Sequence, residues 1–153
     1  MRTITHIVVH HTGSDSSTVE RIRRVHKAKG WSDIGYHAVI YADGSVHDGR
    51  AKGVPGAHVR GFNRSTLAAA MVGDLNRHPP TEAQLKAAIW LCASWARKAG
   101  IDAGKVVGHR ETKGLVPRAM ATKKSCPGTC VDMYLFRSGV TEQLRVIGGG
   151  GLG

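Results

Sequence analysis

The stretch TITHIVVH, residues 3–10, decides the fold class. Its apolar run, IVV at 7–9, is unbroken, which is typical of a strand buried on both faces of a sheet. Further strand patterns follow along the chain, at residues 37–42, 45–48, 67–73 and 105–108. Because helical patterns separate most of these strands, we expect a single-domain α/β fold. Its centre would be a mixed, mostly parallel β-sheet of about five strands, flanked by helices.

Helix ends are marked by capping residues. Two capping boxes predict helix starts, at Ser17 with Glu20 and at Thr81 with Gln84. The second helix is expected to run to about residue 99, with Gly100 closing it. A final short helix is expected near residues 130–138.

Composition and charge narrow the class of protein. Of 153 residues, 41% are apolar and 22% are charged, an ordinary globular balance. The excess of 22 Lys and Arg over 11 Asp and Glu gives a net charge of +11, which favours an anionic partner. Aromatic residues make up only 5%, and no nucleic-acid motif is present, so no nucleic-acid partner is expected.

Neither a membrane helix nor a signal peptide is predicted. No apolar run approaches the ~18 residues of a membrane span, so membrane insertion is not expected. The first six residues lack the apolar segment of a signal peptide. We therefore expect synthesis in the cytoplasm, with any export by another route.

Three residues suggest a reactive centre. His10 and His109 each follow a buried strand, and side chains at the carboxyl ends of parallel strands face one crevice. Cys126 lies in a Pro-Gly loop and completes a His₂Cys set that suits an open zinc site. The alternative hypothesis to a zinc site is that Cys126 acts as a thiolate nucleophile with a histidine as its base. Cys92, on a helix face, is expected to be inert packing.

The same residues lie in longer stretches that resemble the type-2 N-acetylmuramoyl-L-alanine amidases. The resemblance extends especially to the bacteriophage lysozyme-type enzymes of that family, which are relatives of the peptidoglycan recognition proteins. The matching stretches are IVVHHTGS (7–14), IRRVHKAKGWSDIGYHAVIYADGSVHDGR (22–50), PGAHVRGFNRSTL (55–67), VVGHRE (106–111) and KSCPG (124–128). They follow the family's order and span most of residues 4–135.

The resemblance implies roles for individual residues. One Zn²⁺ per chain would be held by His10, His109 and Cys126. Tyr36 would face the metal as a catalytic residue, and Lys124 would be a second catalytic residue. The wall of the substrate groove would include His58 and Asn63. Residues 1–147 would form the catalytic domain and 148–153 a flexible Gly-rich tail.

Two assignments remain open at this point. The segment from Arg110 to Ser125 is longer than in the phage pattern, so Thr122 and Lys123 are alternatives to Lys124. His37, next to Tyr36, is a candidate for a residue that supports the metal ligands. Glu111 is another candidate for orienting an imidazole, or else for acting as a base.

The resemblance also implies a function. A zinc-dependent enzyme would cleave the amide between the lactyl group of N-acetylmuramic acid and L-alanine in peptidoglycan. A monomeric phage or prophage endolysin, reaching the periplasmic cell wall through a holin-made lesion, is the main expectation. The alternatives are a non-catalytic peptidoglycan recognition module, a cytoplasmic muropeptide-recycling amidase, and an interaction protein that uses the basic surface.

Overall fold

The computed structural model describes residues 2–149 of the chain. Five strands are present among them: β1 His6–His11, β2 Ala38–Ile40, β3 Val46–Asp48, β4 Thr66–Met71 and β5 Val106–Gly108. Three α-helices accompany them: α1 Val19–Ala28, α2 Glu82–Ala99 and α3 Met133–Gly149. Short 3₁₀ helices lie at Ala103–Lys105, His109–Gly114 and Arg118–Met120. In this part of the chain, no helix is both long and apolar enough to span a bilayer.

The strands form one mixed sheet in the order β3-β2-β4-β1-β5. β1 lies parallel to β4 on one side and parallel to β5 on the other. β2 also runs parallel to β4, whereas β2 and β3 form an antiparallel hairpin. The predicted α/β fold with a mostly parallel sheet of five strands is therefore confirmed.

The two faces of the sheet carry different layers. Ile7 and Val9 of β1 point into the main apolar core, which α2 and α3 cover. Val8 points to the opposite face, where it packs against Val107 of β5 and Val59. Since side chains alternate along a strand, His10 lies on the same face as Val8. That face is shared with α1, which packs its Ile22 against the sheet.

Helix caps show how local sequence defines these elements. At α2, Thr81 accepts a hydrogen bond from the backbone N–H of Gln84, and Gly100 adopts a left-handed conformation, as predicted. At α1, the predicted cap Ser17 is wrong. Thr18 is the capping residue, because its backbone is extended and its hydroxyl accepts from the N–H of Arg21.

The predicted short helix near 130–138 is longer in the structure. α3 runs from Met133 to Gly149, because Phe136, Val140 and Leu144 form one apolar stripe against the core. Gly139 lies inside this helix, where a Cβ atom would come within 2.7 Å of Ile89 on α2. The expected flexible tail, 148–153, begins in the last turn of α3, and residues 150–153 lie outside the described part.

Candidate metal centre

His10, His109 and Cys126 come together at one edge of the sheet. Their potential ligand atoms all lie within 4.8 Å of one another. The rings of His10 and His109 are 4.8 Å apart between centroids. The Cys126 sulfur lies 3.5 Å from Nδ1 of His10. Three side chains that are distant in sequence therefore meet around a single point.

Strand register explains why the two histidines meet. Val9 of β1 pairs with Gly108 of β5, so the next residue on each strand is a histidine. Because the strands are parallel, both histidines emerge at the same carboxyl edge. His10 is almost completely buried there, and His109 begins the 3₁₀ helix that follows β5.

Arg110 fastens the loop that carries Cys126 to this edge. Its guanidinium donates hydrogen bonds to the carbonyls of Ser125, Gly128 and Val131, at 3.1, 2.7 and 2.6 Å. Its backbone N–H donates to the carbonyl of Cys126 at 2.7 Å. Sequence reasoning gave this residue no role, although it directly follows a predicted ligand.

The donor set suits a zinc ion. Burial lowers the pKa of His10 well below its ordinary value, and the nearby His58 and His109 lower it further. Burial, followed by the charge of Lys124, also lowers the pKa of His109. Both rings are thus neutral near pH 7, which is the form that binds metals. Two imidazoles and one thiol would leave a fourth tetrahedral position free for water.

The protonation of Cys126 argues against its use as a free nucleophile. Burial raises the pKa of its thiol to about 11, although the charges of Arg110 and Lys124 act in the opposite direction. A free catalytic cysteine needs a lowered pKa, because the thiolate is the nucleophile. A bound cation would instead stabilise the thiolate, so the metal-ligand reading fits this environment better.

Tyr36 lies directly beside the cluster. Its ring centroid is 5.1 Å from that of His10, and the residue lines the same groove as the three candidate ligands. Burial raises the pKa of its hydroxyl far above the ordinary value, and nearby Cys126 adds to the effect. The phenol therefore stays protonated and can donate a hydrogen bond into the groove.

Lys124 lies two residues before Cys126 in the sequence. It is exposed and lines the groove, and its charge lowers the pKa of both His109 and Cys126. Among the three residues considered for this position, Thr122, Lys123 and Lys124, the structure brings Lys124 to the groove. Thr122 instead supports it locally, because its hydroxyl accepts from the N–H of Lys124 at 3.2 Å.

The groove runs from the cluster along α1. Its lining includes His10, His109 and Cys126 together with the apolar side chains of Val25 and Trp31. Arg21 of α1 and Lys29, which directly follows the helix, add two cations to the lining. The site is thus an open, basic groove with a potential metal centre in its floor.

Comparison with known proteins identifies the family. The family model described as N-acetylmuramoyl-L-alanine amidase matches residues 1–129. The chain belongs to the N-acetylmuramoyl-L-alanine amidase family. It is thus an enzyme of the peptidoglycan hydrolase class, and the resemblance noted in the sequence is confirmed.

Individual relatives agree with this membership. Peptidoglycan-recognition protein SC2 of Drosophila melanogaster is 32% identical over 136 residues, which cover 82% of this chain and 69% of the relative. The endolysin of Escherichia phage T7 is 38% identical over 63 residues, 41% of this chain and 42% of the endolysin. The structure of the amidase LysC from Clostridium intestinale URNW superposes with a TM-score of 0.79 at 28% identity, covering 90% and 85%.

His58 and Asn63 were predicted to form the wall of the substrate groove in this amidase, and only His58 is among the residues that line it. His58 lines the groove, but its Nδ1 also lies 2.9 Å from Nε2 of His10. Asn63 holds the loop that carries His58, because its side-chain oxygen accepts from the backbone N–H groups of His58 and Val59. The assignment of both residues to substrate binding stays a prediction.

The two candidates for supporting the metal ligands point elsewhere in the amidase. His37 accepts from the N–H of Ala68 through Nδ1, and its Nε2 donates to the carbonyl of Val54 at 2.9 Å. Burial lowers the pKa of His37 to about 4. The Glu111 carboxylate is held by Arg137 of α3, at 2.7 and 3.0 Å, and by the N–H of Gly108.

Proposed function

We propose that this amidase is zinc-dependent and cleaves the amide between the lactyl group of N-acetylmuramic acid and the L-alanine of the stem peptide. The convergence of His10, His109 and Cys126 at the floor of the groove carries this proposal. Zinc in a three-ligand site of this kind activates water and polarises a carbonyl oxygen. An amide needs both effects, because it is a poor electrophile with a poor leaving group.

Two side chains of the groove would stabilise the developing negative charge and protonate the leaving group. Tyr36 keeps its proton and lies beside His10, so its hydroxyl can donate to the oxygen on which negative charge develops. Lys124 brings a positive charge to the same groove, close enough to lower the pKa of both His109 and Cys126. In this proposal it stabilises that charge and supplies a proton to the departing alanine nitrogen.

The basic groove suits an anionic polymer. Arg21, Lys29 and Lys124 all line the groove, and the whole chain carries a net charge of +11. Stem peptides of peptidoglycan carry carboxylates, so these cations would favour their approach. The rate of hydrolysis should therefore fall as salt concentration rises, because salt screens exposed charges.

The biological setting is proposed from the relatives. Phage endolysins are among the similar proteins, which supports a phage or prophage endolysin that degrades the host cell wall after release from the cytoplasm. A holin would provide that release. The proposed substrate is the intact wall, with the glycan strand and stem peptide together as the partner of a monomer.

The deciding experiment is mass spectrometry of the products formed from purified peptidoglycan. Free stem peptides that begin with L-alanine, lost on chelation and restored by Zn²⁺, would support the proposal. Cys130→Ser is a matched control for Cys126→Ser, because Cys130 is exposed and lies outside the cluster. Cleavage of the glycan, or tight binding without cleavage, would contradict it, and binding alone would favour a recognition module.

A further inference from the structure

A chain of hydrogen bonds leads away from His10 on the side opposite Cys126. Nε2 of His10 lies 2.9 Å from Nδ1 of His58. Nε2 of His58 lies 3.0 Å from the hydroxyl oxygen of Thr66, and this hydroxyl lies 2.6 Å from the carbonyl oxygen of Phe62. Thr66 is completely buried in β4, and His10 is nearly so. The chain thus joins the loop before β4 to the end of β1.

The carbonyl at the end of the chain fixes the direction of every bond in it. A carbonyl oxygen only accepts, so the Thr66 hydroxyl donates its single proton to Phe62. The Thr66 oxygen must then accept from Nε2–H of His58. In a neutral ring this leaves Nδ1 of His58 without a proton, so it accepts from Nε2–H of His10.

The result at His10 is a defined tautomer. With its proton on Nε2, His10 has a free lone pair on Nδ1. That atom is the one that lies 3.5 Å from the Cys126 sulfur and faces the cluster. Reversing any link of the chain would place a proton on Nδ1 and block it as a ligand.

We propose that His58 and Thr66 are positioning residues that set the tautomer and the ring orientation of His10 for metal binding. This inference rests on the proposed zinc site, and it gives His58 a role distinct from the groove wall. Metal-bound histidines commonly donate their second N–H to a carboxylate, a carbonyl or water. Here the acceptor is a neutral imidazole, so it orients the ligand without adding negative charge to the site.

Thr66→Val and Thr66→Ser form a matched pair of test variants. Valine keeps the branched shape of the buried side chain but has no hydroxyl, whereas serine keeps the hydroxyl. Two quantities are measured without substrate: the ring tautomers, by long-range ¹H–¹⁵N correlation on metal-free protein, and the zinc affinity, by competition with a chelating dye. Thermal unfolding is recorded for both variants, because valine also leaves the Phe62 carbonyl without its donor.

In the wild type we expect His10 and His58 both to carry their proton on Nε2. Thr66→Val should mix the tautomers of His10 and weaken zinc binding about 10–100-fold. Thr66→Ser should restore the tautomer and most of the affinity. A His10 proton on Nδ1 in the wild type, or wild-type zinc affinity in Thr66→Val, would overturn the inference.

A second pair covers the case in which Thr66→Val does not fold. His58→Gln retains a side-chain oxygen that can accept from His10, whereas His58→Phe fills the space without an acceptor. Zinc affinity should be lower for His58→Phe than for His58→Gln, and equal losses would overturn the inference. Failure of the proposed function is distinguishable, because a protein with these tautomers and affinities that leaves peptidoglycan intact contradicts only the enzymatic assignment.

Discussion

The two faces of the central sheet show how one set of strands supports two kinds of environment. On one face, Ile7 and Val9 of β1 pack against α2 and α3 in the main apolar core. On the other face, Val8 is followed two residues later by His10, which joins a cluster of polar side chains. Because side chains alternate along β1, the strand contributes to the apolar core on one face and to the candidate metal centre on the other. The face toward α2 and α3 is apolar, whereas the opposite face combines an apolar part around Val8 with polar side chains at the carboxyl edge of the sheet.

Two buried cysteines illustrate the same contrast. Cys92 lies on the apolar face, where burial raises the pKa of its thiol to about 12. Cys126 lies at the polar edge, where burial raises the pKa to about 11 against the influence of Arg110 and Lys124. Both thiols are protonated at neutral pH, so burial alone does not distinguish them. Their neighbours do, because only Cys126 has two imidazoles within reach of its sulfur.

The largest expected effect comes from replacing each of these two cysteines with serine in separate variants. Cys126→Ser should abolish zinc binding and lower the rate of hydrolysis by more than about 10³-fold, because the proposed zinc would supply both the nucleophile and charge stabilisation. Cys92→Ser should lower the free energy of unfolding by about 1–3 kcal/mol, because it buries a hydroxyl in an apolar core. Zinc content, rate and urea unfolding would be measured for both. A Cys126→Ser variant with normal activity would contradict the comparison.

Truncation on the apolar face should affect stability alone. Phe136 of α3 is fully buried in the main core, so Phe136→Ala should lower the free energy of unfolding by about 3–5 kcal/mol. Urea denaturation would measure this loss. Zinc affinity and the rate per folded molecule should remain near wild type, and a selective loss of zinc affinity would show that the two faces are coupled.

Removing the Tyr36 hydroxyl tests the proposed hydrogen bond in the groove. Tyr36→Phe should lower the rate by about 10²–10³-fold, as the loss of one donor to a developing oxyanion does. Tyr41→Phe is the matched control, because the Tyr41 hydroxyl accepts from the N–H of Val19 at the start of α1. The control should reduce stability with little change in rate. Equal rates for the two variants would contradict the role of Tyr36.

Lys124 and its neighbour Lys123 allow a similar test of charge placement. Lys124→Ala should lower the rate by about 10²-fold, within the range for loss of a general acid, while zinc stays bound. Lys123→Ala removes the same charge from an exposed residue outside the groove lining and should change the rate little. Initial rates of hydrolysis, measured for both variants at the same zinc content, would show which lysine takes part in the reaction. A larger loss for Lys123→Ala would reassign the catalytic lysine.

The smallest expected effect concerns Glu111 and its pH dependence. Burial opposes ionisation of this carboxyl, but the bonds from Arg137 and from the N–H of Gly108 outweigh it and lower the pKa. A lowered folded-state pKa stabilises the protein above the unfolded value, and this stability is lost as pH falls below about 4.5. Glu111→Gln should therefore lower the free energy of unfolding by less than about 1 kcal/mol at pH 7. The variant should also lose less stability than the wild type as the pH falls below about 4.5.

Unfolding at several pH values and the rate at pH 7 would test this expectation for Glu111→Gln. The rate should change little, since Glu111 is held by α3 and makes its contacts away from the imidazoles. A large loss of activity would favour the alternative, in which Glu111 orients a ligand or acts as a base.

Much of the fold and the centre of the site could be predicted from local sequence. Apolar runs predicted β1, β4 and β5, because strands buried on both faces need continuous apolar residues. The candidate metal-binding set was predicted from residue type and, for its two histidines, from their position at strand ends. The start of α1 was missed because Thr18 and Ser17 have the same chemistry, and the length of α3 was missed because the helix contains Gly139, a poor helix former.

The sequence by itself determined which residues form the strands, which three side chains could bind a metal, and the positive charge around them. Only the tertiary structure decided how Arg110 holds the Cys126 loop and how Thr66 and His58 reach His10. It also turned Glu111 toward Arg137 rather than toward an imidazole. The physical reason is that hydrogen bonds between distant segments depend on strand register and loop path, which no local pattern of residues encodes.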